Sequence, residues 1–233
     1  AHNRYPELWA RVNQEAVAEE GATDEALYFM RAGYAHSARY STAFWAGDQN
    51  VDWSVDDGLA SVIPAAISVG YSGVTNHHSD IGGYTTVAWL RRSKELLLRW
   101  AELAAFTMTM RTHEGNRPKR NRQFDSDQET LQRFARLVQI YRSLKPYRKT
   151  LEAEYTELGL PAMRHPYVHY ENDTELHNWK YQYLLGRDLL VAPVYKPHRQ
   201  NRRLYLPSDE WTHLWTGRHH HGGACTVPAP LGE

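Results

Sequence analysis

Helix-like and strand-like segments alternate along the first two-thirds of the chain, and that order constrains the fold more than any single residue does. Leu8, Val12, Ala16 and Val17 recur at helical spacing over 7–20, and the apolar run Ala26–Met30 reads as a buried strand closed by Arg31-Ala32-Gly33. A strand over 42–47, a helix over 57–70, a strand near 73–77 and a helix over 92–104 follow. A strand near 107–112 and a helix over 127–143 complete the series, the helix carrying Leu131, Phe134, Val138 and Tyr141 on one face. This alternation predicts an α/β fold of parallel βαβ units, either an open doubly wound sheet or part of a (β/α)8 barrel. Only about four strands fit before residue 160 whereas a closed barrel needs eight, so residues 1–162 read as the C-terminal half of a TIM barrel.

The pattern changes after residue 163. Tyr181–Val194 and Arg203–Trp215 are β-rich runs punctuated by Gly186, Pro193, Pro197, Pro207 and Gly217, which predicts a small second domain over 163–233, the start of a β-sandwich. Lys196–Arg203 reads as a basic loop, and His219-His220-His221 as a surface loop.

Charge and composition narrow the function classes. Basic and acidic side chains balance at 27 each, which removes the electrostatic argument for nucleic acid, and no apolar run approaches the ~20 residues of a membrane span. The single cysteine, Cys225, cannot form an internal disulfide, which points to a reducing, cytoplasmic compartment. Eight Trp and 15 Tyr against five Phe favour rings with a polar handle, suited to a site that is half apolar and half wet, as sugar clefts are.

Polar residues gather just past the expected strand ends at Arg31, Asp48, Asp80 and His113, which implies one shared rim. In Phe44-Trp45-Ala46-Gly47-Asp48-Gln49 a single carboxylate ends an apolar run, and desolvation by Phe44 and Trp45 would suit Asp48 to proton transfer; the alternative is a helix N-cap or turn residue. Arg31 reads either as a salt-bridge partner in the mouth or as a guanidinium aimed at hydroxyls. The stretch His77-His78-Ser79-Asp80-Ile81-Gly82-Gly83-Tyr84 joins two imidazoles, a carboxylate and a phenol at a strand end. A zinc site on His77, His78 and Asp80 is disfavoured, because adjacent residues on a strand face opposite sides. His113 reads either as a core histidine or as part of the rim. No phosphate-binding loop, nucleophile elbow or cysteine motif is present, so any chemistry rests on carboxylates.

At these residues the chain resembles glycoside hydrolase family 31 and, within it, the bacterial sulfoquinovosidase subgroup. The resemblance is carried in order by Phe29-Met30-Arg31-Ala32-Gly33, Trp45-Ala46-Gly47-Asp48-Gln49, His77–Tyr84 and Met110-Arg111-Thr112-His113-Glu114-Gly115-Asn116-Arg117-Pro118. Tyr183–Val194 resembles the strand pair after the barrel. The resemblance implies a retaining α-glycosidase with no cofactor and no metal, acting on a carbohydrate such as sulfoquinovosyl glycerol or a related α-glycoside. It implies that Asp48 is the general acid/base, that Arg31 and His113 hydrogen-bond sugar hydroxyls, and that Trp45 faces the substrate. Asp80 would structure the mouth and Tyr84 would contact a sulfonate. A retaining enzyme also needs a second carboxylate about 5–5.5 Å from the first, which the resemblance puts upstream of residue 7, outside this sequence. The isolated chain is therefore expected to be inactive. An α-glucosidase or α-xylosidase of the same family, or a non-catalytic carbohydrate-binding or structural segment, are the competing readings.

Overall fold

The computed structural model describes residues 2–41 and 43–232, so Thr42, where the second expected strand was to begin, lies outside the described residues, as do Ala1 and Glu233. The chain opens with helix α1 (Tyr5–Glu19), whose Pro6 sits in the first turn, where a missing N–H costs nothing. Strands β1 (Phe29–Met30), β2 (Ala43–Trp45) and β3 (Asn76–His78) pair in parallel in that order. After a break at Ser79, β4 (Asp80–Ile81) pairs in parallel with β5 (Arg111–Thr112). Helix α2 (Val62–Tyr71) connects β2 to β3, and α3 (Lys94–Ala105) connects β4 to β5. The expected α/β architecture is present, and parallel pairing brings the C-terminal ends of strands within each sheet to one edge.

The core lies where these helices cover the strands. Every residue of α3 from Leu96 to Ala105 is buried, as expected of a helix packed on all sides, and Ser93 caps it by accepting from the Leu96 amide at 3.1 Å. Full burial of Leu97 and Leu98 contributes about 1.5–3 kcal/mol each. Helix α4 (Gln128–Ser143) is capped by Asp127 and inserts Phe134 and Leu137. Helix α5 (Lys145–Leu158) was not foreseen, because only Arg148 and Leu151 of its 14 residues are buried and no apolar stripe marks it. It stops where Gly159 turns left-handed at φ 71°.

Every expected barrel strand is shorter than its apolar run. Helix α2 likewise starts at Val62 rather than 57, because the preceding residues make loop bonds instead, from Asn50 N–H to the Asp57 carbonyl at 2.7 Å and from Leu59 N–H to the Asp52 carbonyl at 3.0 Å.

Beyond α5 the strands are antiparallel. β6 (Met163–Arg164), β7 (Tyr183–Leu185) and β8 (Leu189–Val191) form one sheet, and β9 (Asn201–Thr212) and β10 (His219–Pro228) form a long hairpin. Two expectations are corrected here. The basic loop ends at Gln200, and His219–His221 is not a loop: these residues pair with Thr212, Trp211 and Glu210. Their side chains are largely exposed, so no apolar alternation announced the strand. Buried Arg99 of α3 fastens the hairpin to the core, donating to the Arg199 and Ala229 carbonyls at 2.8 Å each and pairing with Glu102 at 2.8 Å. Among the described residues no helix is long and apolar enough to cross a membrane.

Candidate active site

Arg31 leaves the end of β1 and Asp48 follows the end of β2, and the parallel register brings them side by side. The Arg31 guanidinium lies 3.6 Å from the Asp48 carboxylate, whose side chain keeps 32% of its surface exposed. Gly47 makes this approach possible: it adopts φ 95°, and a Cβ there would fall 3.2 Å from Arg31 Nε. Arg31 does form a salt bridge in the mouth, and Asp48 caps no helix, since α2 begins after Ser61. Of the two rings expected to desolvate Asp48, Phe44 lies elsewhere. It packs into a separate cluster with Ala10, Met30 and Val74.

Trp45 joins this pair to a deeper polar group. Its ring lies 5.2 Å from the Arg31 guanidinium and 5.6 Å from that of Arg111, which also stacks 5.2 Å from Phe29. Arg111 in turn donates to fully buried Asp80 and, through Nε at 2.9 Å, to His78 Nε2. Burial pushes the Asp80 carboxyl up from its ordinary value, against the pull of Arg111 and His113. The Trp45 indole N–H points at the same carboxylate without closing a full hydrogen bond, leaving one Asp80 oxygen without a partner. His78 is held neutral, its pKa lowered to about 4 by burial and then by Arg111, and burial also lowers His77 to about 4.

Tyr84 and His113 form the other side of the rim, their rings edge to face at 4.9 Å. His113 Nδ1 accepts from the Gly115 amide at 3.0 Å, so the ring is oriented from its own loop rather than stored in the core. The Tyr84 loop is tied to the Asp48 loop: Tyr84 and Thr85 amides both donate to the Gln49 carbonyl at 2.8 Å, and Thr85 Oγ1 donates to the Asp48 carbonyl at 2.7 Å.

All six residues singled out from the sequence, Arg31, Trp45, Asp48, Asp80, Tyr84 and His113, thus fall within this continuous network. Arg111, whose contacts join Asp80 to the aromatic floor, had no role assigned from the sequence, although it stands in the block that holds His113. Among the described residues no three His, Cys, Asp or Glu side chains converge as metal ligands; His78 instead accepts from Arg111. A carboxylate held beside a cation at the strand ends, with an open face and flanking phenol and imidazole groups, can exchange a proton with a bound polar molecule.

Residues 1–151 match the glycosyl hydrolases family 31 TIM-barrel domain, and residues 159–233 match the glycosyl hydrolase family 31 C-terminal domain. The chain belongs to glycoside hydrolase family 31. It is 57% identical over 232 residues to a family 31 relative named sulfoquinovosidase from Escherichia coli, covering 100% of this chain and 34% of that protein. A sulfoquinovosidase from Agrobacterium fabrum is 50% identical over 234 residues, 100% of this chain and 35% of that protein. Among solved structures, a family 31 sulfoquinovosidase from E. rectale in complex with an aza-sugar inhibitor superposes with a TM-score of 0.97 at 53% identity, over 99% of this chain and 35% of that one. The chain therefore spans about a third of the length of the curated family 31 relatives it matches.

Proposed function

We propose that the parent protein is a retaining α-glycosidase that hydrolyses sulfoquinovosides, with Asp48 as general acid/base. The observation that carries this reading is the Arg31–Asp48 pair, set beside the Tyr84–His113 pair at the C-terminal edge of parallel strands. In this reading residues 1–162 are the C-terminal half of a (β/α)8 barrel and residues 163–233 begin a β-sandwich domain. A cytoplasmic location, argued from the lone Cys225, belongs to the same proposal.

The chemistry divides between this chain and a carboxylate upstream of it. That carboxylate attacks the anomeric carbon while Asp48 gives its proton to the departing glycosidic oxygen; Asp48 then takes a proton from the water that releases the sugar. Arg31, 3.6 Å away, fixes the direction of the Asp48 carboxyl and offers its remaining N–H groups to sugar hydroxyls. Tyr84 presents a phenol to the sulfonate, and His113 presents the imidazole nitrogen not engaged by Gly115 to a hydroxyl. Support for the sulfonated substrate over a plain glucoside comes from identity. It is 57% and 50% to the two sulfoquinovosidases, but 31% to a 1,3-alpha-isomaltosidase and 29% to an alpha-xylosidase.

The test is the ratio of kcat/KM for sulfoquinovosyl glycerol to that for the matching α-glucosyl glycerol in the full-length protein. A preference of at least about 100-fold for the sulfonated substrate is expected of a site built to satisfy a polar group. A reversed ratio makes the protein an α-glucosidase, and no turnover of either removes the glycosidase reading.

A further inference from the structure

Arg92 has no place in the chemistry above, yet it is the most heavily bonded side chain behind the rim. It is 1% exposed, and its guanidinium reaches six acceptors. Nε donates to the Arg122 carbonyl at 2.9 Å. Nη1 donates to the carbonyls of His113 at 2.7 Å, Gly83 at 3.1 Å and Ile81 at 3.2 Å. Nη2 donates to the Glu114 carbonyl at 3.1 Å and the Gln123 side-chain oxygen at 2.8 Å. Among the described residues no carboxylate pairs with it. A buried cation hydrogen-bonded only to neutral oxygens is costly, and burial lowers it to about 10, against the pull of the Asp80 carboxylate.

What the six contacts have in common is position. Ile81 and Gly83 lead into Tyr84, while His113 and Glu114 form the loop after β5, so one side chain clamps the two loops whose rings meet at 4.9 Å. The backbone makes room for the clamp: Gly82 sits at φ 87°, and a Cβ there would fall 2.2 Å from Arg92 Cδ. Because Tyr84 and Thr85 are bonded to Gln49 and Asp48, the clamp also fixes the distance from His113 to the proton donor.

We propose that Arg92 is a positioning residue that sets the spacing of Tyr84 and His113 against Asp48, and so sets substrate affinity without touching substrate. The proposal rests on the glycosidase reading for its kinetic consequence but not for its geometric one. Lysine keeps the charge but concentrates its donors at one nitrogen, so it cannot span both loops as the planar fork does.

The test uses Arg92→Lys, His113→Ala and the double variant in the full-length protein, with sulfoquinovosyl glycerol as substrate. Arg92→Lys is expected to raise KM about 10- to 50-fold with kcat within about 3-fold. In the His113→Ala background the same change should raise KM by a clearly smaller factor than in the parent, because one of the two side chains that the clamp places is already removed. An unchanged KM, or a loss that is the same size in both backgrounds, overturns the role and leaves Arg92 a structural staple. If Arg92→Lys does not fold, Gln123→Ala removes one acceptor from outside, with an expected rise in KM of about 3- to 10-fold and an unchanged KM counting against the role. A crystal structure of the lysine or Gln123→Ala variant reads the geometry directly. Tyr84–His113 rings still 4.9 Å apart and unmoved relative to Asp48 overturn the proposal, whether or not the parent hydrolyses glycosides.

Discussion

Strands β1 to β5 are two or three residues long, whereas β9 and β10 run for 12 and 10 residues, and the two regions keep their shape by different means. In the hairpin the backbone ladder sets the geometry, and many of its side chains are exposed. At the rim the ladders are too short to do this. Polar side chains that reach between loops replace them: Arg111 joins β5 to Asp80 and His78, Arg92 joins two loops, and Asn121 Oδ1 accepts from Thr86 Oγ1 at 2.9 Å and from the Arg92 amide at 3.2 Å. Rim geometry is therefore carried by few residues, and substitutions there should alter stability and activity together. In the hairpin the two should separate.

The largest expected effect is at Arg111. Arg111→Met leaves the buried Asp80 carboxylate without its cation and should cost about 3–5 kcal/mol in chemical denaturation, with loss of activity in the parent. A loss under about 1 kcal/mol would mean that the rim does not depend on this pair. Next is Leu204→Ala in β9, which removes a buried side chain from the hairpin. It should cost about 2–5 kcal/mol while kcat/KM stays within about 2-fold, and a large drop in kcat/KM would break the proposed separation.

Acid comes third. His77 and His78 titrate near 4 when folded and near 6.5 when unfolded, so their contribution is present above pH 6.5 and is lost as pH falls from 6.5 to about 4. For His77 alone this amounts to about 3 kcal/mol at the acid end. Thermal melts from pH 7 to pH 4 should show it, and a His77→Gln variant should have a flatter profile. The smallest effect belongs to the exposed ladder: His221→Ala should change stability by no more than about 0.5 kcal/mol and leave kinetics unaltered.

The same contrast explains what the sequence disclosed. Helical periodicity sustained over ten or more residues gave the centres of α1 to α4, and polar residues at the ends of apolar runs gave the rim positions of Arg31, Asp48, Asp80 and His113. Strand lengths were misread because an apolar run marks burial, not pairing. β10 escaped because its side chains face water, and α5 because two buried residues make no stripe. Arg92 was invisible for a different reason. It stands at the start of the expected helix over 92–104, and the oxygens that it binds come from Ile81, Gly83, His113, Glu114, Arg122 and Gln123, which only the fold brings together.

The central claim, that Asp48 moves the proton, is tested most directly by Asp48→Asn in the full-length protein on two sulfoquinovosides. One carries glycerol as leaving group and the other a strongly acidic phenol. Turnover of the glycerol substrate should fall about 100- to 10,000-fold, while the first step with the phenol, which needs no protonation, should fall less than about 10-fold. Unchanged hydrolysis of the glycerol substrate, or an equal loss on both, would contradict the account.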